Sequence, residues 1–205
     1  DVTVADTKAF SAASIQQLAG TGTTTFGGTL NTNAQISGSN ANGIDLTGTN
    51  FIFKGAVTTT GSGAVAIDNA GTLTINSGAD FSLAGAFTQS GGGSINLGAG
   101  ITTADANISF ADAITLTNGV TLSTGSGAGT ISFSDGINSD STARALTLTA
   151  GTGDVIFQSG ADVGTGTALA SLTITGDNIT LRNVTTSGAQ SYTGSGVITT
   201  NSTYT

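Results

Sequence analysis

The chain is built on a short alternating unit in which two apolar residues flank a polar one. It occurs as Leu73-Thr74-Ile75, Phe81-Ser82-Leu83, Ile95-Asn96-Leu97 and Ile108-Ser109-Phe110. It returns as Val120-Thr121-Leu122, Ile131-Ser132-Phe133, Leu146-Thr147-Leu148, Leu172-Thr173-Ile174 and Ile179-Thr180-Leu181. Alternation with a period of two is the signature of a β-strand with one buried face. The outer two side chains of each unit point inward, and the middle one points to solvent.

The units fall into columns. Ile108, Ile131, Val155 and Ile179 form one, with nearly constant steps. Leu73, Ile95, Val120, Leu146 and Leu172 form a second, and Phe87, Ile114, Ile137, Val163 and Val184 a weaker third. Backward extrapolation adds Phe26 and Phe51 to the first column and Ile44 to the second. The pattern predicts an all-β fold, a right-handed parallel β-helix (β-solenoid) of about eight coils of about 24 residues, with three short strands per coil. The hand follows from the strong preference of parallel crossovers. At about 4.8 Å between paired strands the rod is about 38 Å long.

Gly-rich runs such as Gly125-Ser126-Gly127-Ala128-Gly129 and Ala150-Gly151-Thr152-Gly153-Asp154 lie between strand units and predict tight corners. Residues 1–205 read as a single solenoid domain, with residues 1–20 an irregular first coil or a cap. Within that stretch Phe10 to Ala19 fits a short helix or an imperfect coil. Val197-Ile198 reads as one more strand before Asn201 to Thr205, with no amphipathic capping helix. Open ends predict continuation, either by copies stacked end to end or by flanking coils of a longer chain.

Composition narrows the class. The chain has 32 Gly, but only 8% of residues are charged and 37% are hydrophobic, which separates it from disordered chains. It has no Cys and no His, which removes thiolate chemistry, disulfides and the commonest general base and metal ligand. All twelve acidic residues are Asp, a turn former, and none is Glu. Met is absent, so Asp1 is expected to arise by processing, or the chain to be a segment of a longer one. A net charge of −8 argues against nucleic acid and anionic membranes, and no apolar run approaches membrane-spanning length. Together these features point to a secreted protein of the bacterial cell surface.

Three runs carry a more specific likeness. They are residues 144–157 (Arg144-Ala145-Leu146-Thr147-Leu148-Thr149-Ala150-Gly151-Thr152-Gly153-Asp154-Val155-Ile156-Phe157), residues 168–176 and residues 188–194. Together they resemble repeats of very large bacterial secreted proteins of the filamentous-haemagglutinin type, over roughly residues 50–200. The resemblance implies a right-handed β-helical shaft exported to the cell surface for adhesion, biofilm or fibre formation. It implies no catalytic residues. This chain departs from that group in being far shorter, with no recognisable secretion-signal domain.

Candidate chemistry is sparse. Thr121, Thr147 and Thr173 are outward strand positions, and Ser123, Thr149 and Thr175 follow each by two residues. This predicts a hydroxyl grid with spacings of about 7 Å along a strand and about 4.8 Å between rungs. Such a grid could bind ice or a polysaccharide. It equally suits plain cross-strand Thr packing. The same column carries Thr74 and Asn96, and Asn96 interrupts it.

Asp112 and Asp135 each stand two residues after a strand-ending Phe and are expected to stack about 5 Å apart, a separation used in retaining glycosidases. Ser159 takes that place on the next coil, and the only cations are Lys8, Lys54, Arg144 and Arg182. No enzyme is therefore expected, and a polysaccharide-degrading β-helix is the lesser alternative. Asp80, Asn107, Asp154, Asp177 and Asn178 gather before strands, where carboxylates could hold calcium. No Gly-Gly-x-Gly-x-Asp repeat accompanies them, so side-chain caps on turns are the favoured reading and no cofactor is expected. Sequons such as Asn107-Ile108-Ser109, Asn178-Ile179-Thr180 and Asn201-Ser202-Thr203 match no more than chance allows.

Overall fold

The computed structural model of the chain describes residues 1–4, 8–36 and 42–200. The described residues form 25 short strands and no helix. The strands make three parallel sheets, which we label A (seven strands), B (nine) and C (nine). The chain visits A, B and C in turn and then repeats, giving a β-solenoid of about 9 turns, about 22 residues apart. Sheet A runs from Val2–Val4 to Ile137–Ser139 and is prolonged by single bridges from Ile137 to Val163 to Val184. Sheet B runs from Phe10–Ala12 to Gln190–Gly194, and sheet C from Ile15–Gln17 to Ile198–Thr200. Phe10 to Ala19 is therefore not helical: it supplies two strands of the first coil.

Alternation places the core. In nearly every strand the first and third residues of the apolar–polar–apolar unit are buried, as in Ile108–Phe110, Ile131–Phe133 and Val155–Phe157. Seven of the nine Phe side chains stack in one continuous column down the axis: Phe26, Phe53, Phe81, Phe87, Phe110, Phe133 and Phe157. Neighbouring ring centroids are 5.0–5.9 Å apart, close to the strand repeat. Each ring fills the space left by the coil below. No coil buries its apolar face alone, so stability is shared between nearest neighbours.

The column assignment holds for Ile114, Ile137, Val163 and Val184, which stack in sheet A, and needs correction elsewhere. Ile108, Ile131, Val155 and Ile179 do stack, in sheet C, and Phe87 stands beneath them rather than in a third column. Leu73 and Ile95 belong to sheet A, where the next rungs are Ile114 and Ile137. Val120, Leu146 and Leu172 belong to sheet B. Phe51 lies in sheet A under Leu73, Phe26 ends the sheet A strand below, and Ile44 lies in sheet C. Uneven corners are the physical reason. The coil that carries Ile95 to its partner Ile114 is short, so an even period steps past sheet A and lands in sheet B at Val120.

The Gly-rich corners sit between sheets B and C. Gly151 has φ +56°, and a Cβ on Gly153 would overlap the Gly129 carbonyl oxygen of the coil below. Only Gly permits that approach. Beside these corners, Thr59, Thr103 and Thr124 occupy inward, buried positions. Their hydroxyls donate to the carbonyls of Gly63, Ala106 and Gly129 at 2.5, 2.5 and 2.8 Å. A buried hydroxyl is thereby satisfied where an apolar residue would leave a corner carbonyl without a partner.

Candidate functional site

The six hydroxyl residues singled out from the sequence lie together on the outer surface of sheet B. Thr121, Thr147 and Thr173 are cross-strand neighbours, and so are Ser123, Thr149 and Thr175. The next coil adds Ser191 beside Thr173 and Thr193 beside Thr175. Thr74 and Asn96 are not part of this face. They belong to sheet A, in register with Thr115 and Asn138, so Asn96 interrupts nothing on sheet B.

The second of these rows extends much further than the sequence suggested. Below Ser123 it continues through Thr102, Ser82, Thr58, Asn31 and Ser11. Nine successive coils thus present one polar side chain at the same place, and all but Asn31 are hydroxyls. Part of the lower half was hidden because two of its strands do not read as apolar–polar–apolar. Val57-Thr58-Thr59 and Ile101-Thr102-Thr103 end in the buried, corner-capping Thr residues described above. A Thr at the third position of a strand unit was the available signal.

The hydroxyls of Thr121, Thr147, Thr149, Thr173 and Thr175 make no side-chain hydrogen bond among the described residues. They keep both donor and acceptor capacity for solvent or a ligand. The spacing between rungs is the strand repeat, about 4.8 Å. At the lower end of the row a shallow depression of about 250 Å³ opens beside Ser11, Asn31 and Thr58.

Asp112 and Asp135 each follow by two residues the register pair Phe110 and Phe133, so they lie on adjacent coils. One carboxylate oxygen of Asp112 accepts hydrogen bonds from Gln89 Nε2 at 2.6 Å and from the Gly92 N–H at 3.0 Å. Gln89 is buried, and it also donates to Asn69 Oδ1 at 2.8 Å and accepts from the Ala111 and Asp112 N–H groups. Asp112 therefore completes a structural network at the corner between sheets C and A. Asp135 is exposed and accepts from the N–H of Gly136 at 2.6 Å.

The residues considered for calcium accept hydrogen bonds at the corners. Asp80 accepts from the Gly100 N–H at 2.8 Å, Asn107 from the Thr130 N–H at 2.9 Å, and Asn178 from the Val197 N–H at 3.0 Å. Asp154 accepts from both the N–H and the side-chain amide of Asn178, at 3.0 and 2.9 Å. Asp177 accepts from the Ser195 hydroxyl. Asp1, Asn50 and Asp105 act likewise on Thr23, Thr72 and Gly127. In each case a short side chain on one coil caps a donor on the next. A short side chain holds its oxygen at that height, consistent with a chain that uses Asp and Asn at its corners and no Glu. No group of three or more His, Cys, Asp or Glu gathers among the described residues.

An ion pair joins Arg144 to Asp140 at 2.8 Å, bidentate through Nε and Nη2. The hydrogen bonds from Arg144 and from the Thr142 N–H hold the Asp140 carboxyl below its ordinary value, and Asp140 raises Arg144 in turn. Arg182 donates to the Phe157 and Gln158 carbonyls of the coil below.

No protein-family model, curated protein or solved structure matches this chain.

Proposed function

We propose that this chain is a structural or adhesive rod of the filamentous-haemagglutinin type, working outside the cell as a fibre subunit or adhesin shaft on a bacterial surface. Its partners are further coils, supplied by copies of the chain stacked end to end or by flanking sequence. One observation carries the reading. Val2, Phe10 and Ile198 stand in the inward register, beside Thr24, Leu30 and Ile179, yet they are 57%, 40% and 44% exposed. Leu18 and Val197, on the same terminal coils, are also exposed. Apolar side chains in core register, with no coil over them among the described residues, are what a continuing stack covers.

Sedimentation velocity across a concentration series tests this. The parent chain should form larger species as concentration rises, and Ile198→Asp or Phe10→Asp should suppress them. A parent that sediments as a monomer at every concentration removes the self-stacking half of the proposal.

A second reading is favoured by the unbroken polar row on sheet B: that face binds a regular polar surface such as ice or a polysaccharide. Thr147→Tyr should then abolish thermal hysteresis or glycan retention without changing the fold. A parent with neither property excludes it.

A further inference from the structure

We infer that Asn118-Gly119 is a modification site, at which the rod deamidates spontaneously through its own backbone. The chain contains two Asn-Gly pairs, Asn42-Gly43 and Asn118-Gly119. In such a pair the missing Cβ lets the following nitrogen approach the Asn side-chain carbonyl. The two pairs sit in opposite surroundings. Asn118 and Gly119 are both exposed, on the corner between the strands Ile114–Leu116 and Val120–Ser123. The Gly119 N–H donates to no group among the described residues. A Cβ on Gly119 would meet only the Ala145 carbonyl oxygen, at 3.9 Å, so the corner around the Gly119 backbone is open. Gly43 is buried within the strand Asn42–Gly48, and a Cβ there would lie 2.9 Å from Thr32 Oγ1 and 3.2 Å from Gly63 Cα. Ring closure at Gly43 requires the strand to leave its sheet.

The chemistry needs only water. The Gly119 nitrogen, losing its proton to solvent base, attacks Asn118 Cγ. The new C–N bond closes a cyclic imide, the Cγ–Nδ2 bond breaks, and ammonia leaves with the transferred proton. Water then opens one of the two imide C–N bonds. Opening at Cγ yields aspartate at 118, and opening at the main-chain carbonyl yields an isoaspartyl link that carries the backbone through Cβ and Cγ.

The position makes the change consequential. Asn118 Nδ2 donates to Ser77 Oγ at 3.0 Å, far back along the chain. Leu97 pairs with both Ile75 and Leu116, so this hydrogen bond spans the corner of an intermediate coil, Gly98-Ala99-Gly100. Deamidation removes the donor and adds a negative charge, and the isoaspartyl form also lengthens the corner by one backbone atom.

The test is timed incubation of the folded chain at physiological temperature over neutral to mildly alkaline pH. Intact mass, ammonia release and peptide mapping with isoaspartate detection are followed, with the urea-unfolded chain as reference. We expect a gain of one mass unit located at Asn118, faster at higher pH, at a rate within an order of magnitude of the unfolded chain. Asn42 should lag far behind its own unfolded rate. Asn118→Gln should lose the signal and Gly119→Ala should slow it severalfold, and both variants should keep the fold because the corner is open. A folded chain that holds Asn118 intact while the unfolded chain converts it would overturn the inference. Conversion of Asn42 ahead of Asn118 would do the same.

Discussion

Single side chains hold this molecule together at its corners. At many corners a main-chain donor that no strand ladder satisfies is met by an Asp or Asn on the coil below. Asp154 is the best-developed case, with two hydrogen bonds to Asn178. Asp154→Ala should cost about 1–2 kcal/mol in denaturant unfolding, since it strands the Asn178 N–H and leaves the Asn178 amide with Asp177 alone. Asp154→Asn keeps an acceptor oxygen and should cost much less. Asp140 gives the pH counterpart. Its folded carboxyl titrates below the ordinary value because Arg144 donates to it. The resulting stability is present above the ordinary carboxylate value and disappears as pH falls through the depressed one. Arg144→Ala should therefore flatten the acid side of the stability profile, as read by thermal melts across acidic buffers. The capping role of Asp80, Asn107, Asp154 and Asn178 was legible from their place just before strands. The Gln89–Asp112 network was not, because it joins neighbouring coils through a buried amide that the sequence pattern counts as polar.

At the scale of the strand, the apolar–polar–apolar unit was enough to identify the elements, and stretches of all three sheets could be assembled from spacing alone. Sheet C was legible between Ile108 and Ile179 because its corners there are nearly equal in length. Sheets A and B were legible only in part, from Ile114 through Ile137 and Val163 to Val184 and from Val120 through Leu146 to Leu172, because spacing between rungs varies widely elsewhere. The coil from Leu172 to its partner Gln190 is short, whereas the one from Leu30 to its partner Val57 is long. Strand identity is local physics, while face assignment depends on corner lengths that alternation does not encode. The hydroxyl row shows the same limit. Its upper part was readable from the Thr-x-Ser and Thr-x-Thr rungs of three successive strands, and its lower part was masked at Thr58 and Thr102 by Thr59 and Thr103 acting as core. The aromatic column gives this scale its prediction. Phe110 stacks on Phe87 and Phe133 at 5.1 and 5.7 Å. Phe110→Ala should cost about 3–5 kcal/mol, the range for a large buried aromatic. Phe26, at one end of the column and 5% exposed, should cost less when truncated. Chemical denaturation of the two variants side by side checks the order.

The whole molecule is a stack that could be lengthened without changing its logic. Sheet register, aromatic column and corner caps all connect one coil to the next, and among the described residues none closes the structure at its ends. The terminal coils present core-register residues to solvent, so a second copy or a flanking coil would extend the same contacts. Such an interface is heterologous and yields a filament rather than a closed oligomer. The proposed rod function rests on that geometry, and any ligand would be met on a face, with sheet B the most regular. Negative-stain electron microscopy of the purified chain over a concentration series tests this most directly. Continuing stacks predict thin unbranched filaments, a few nanometres wide, that lengthen as concentration rises. Isolated short particles at every concentration would contradict stacking between copies.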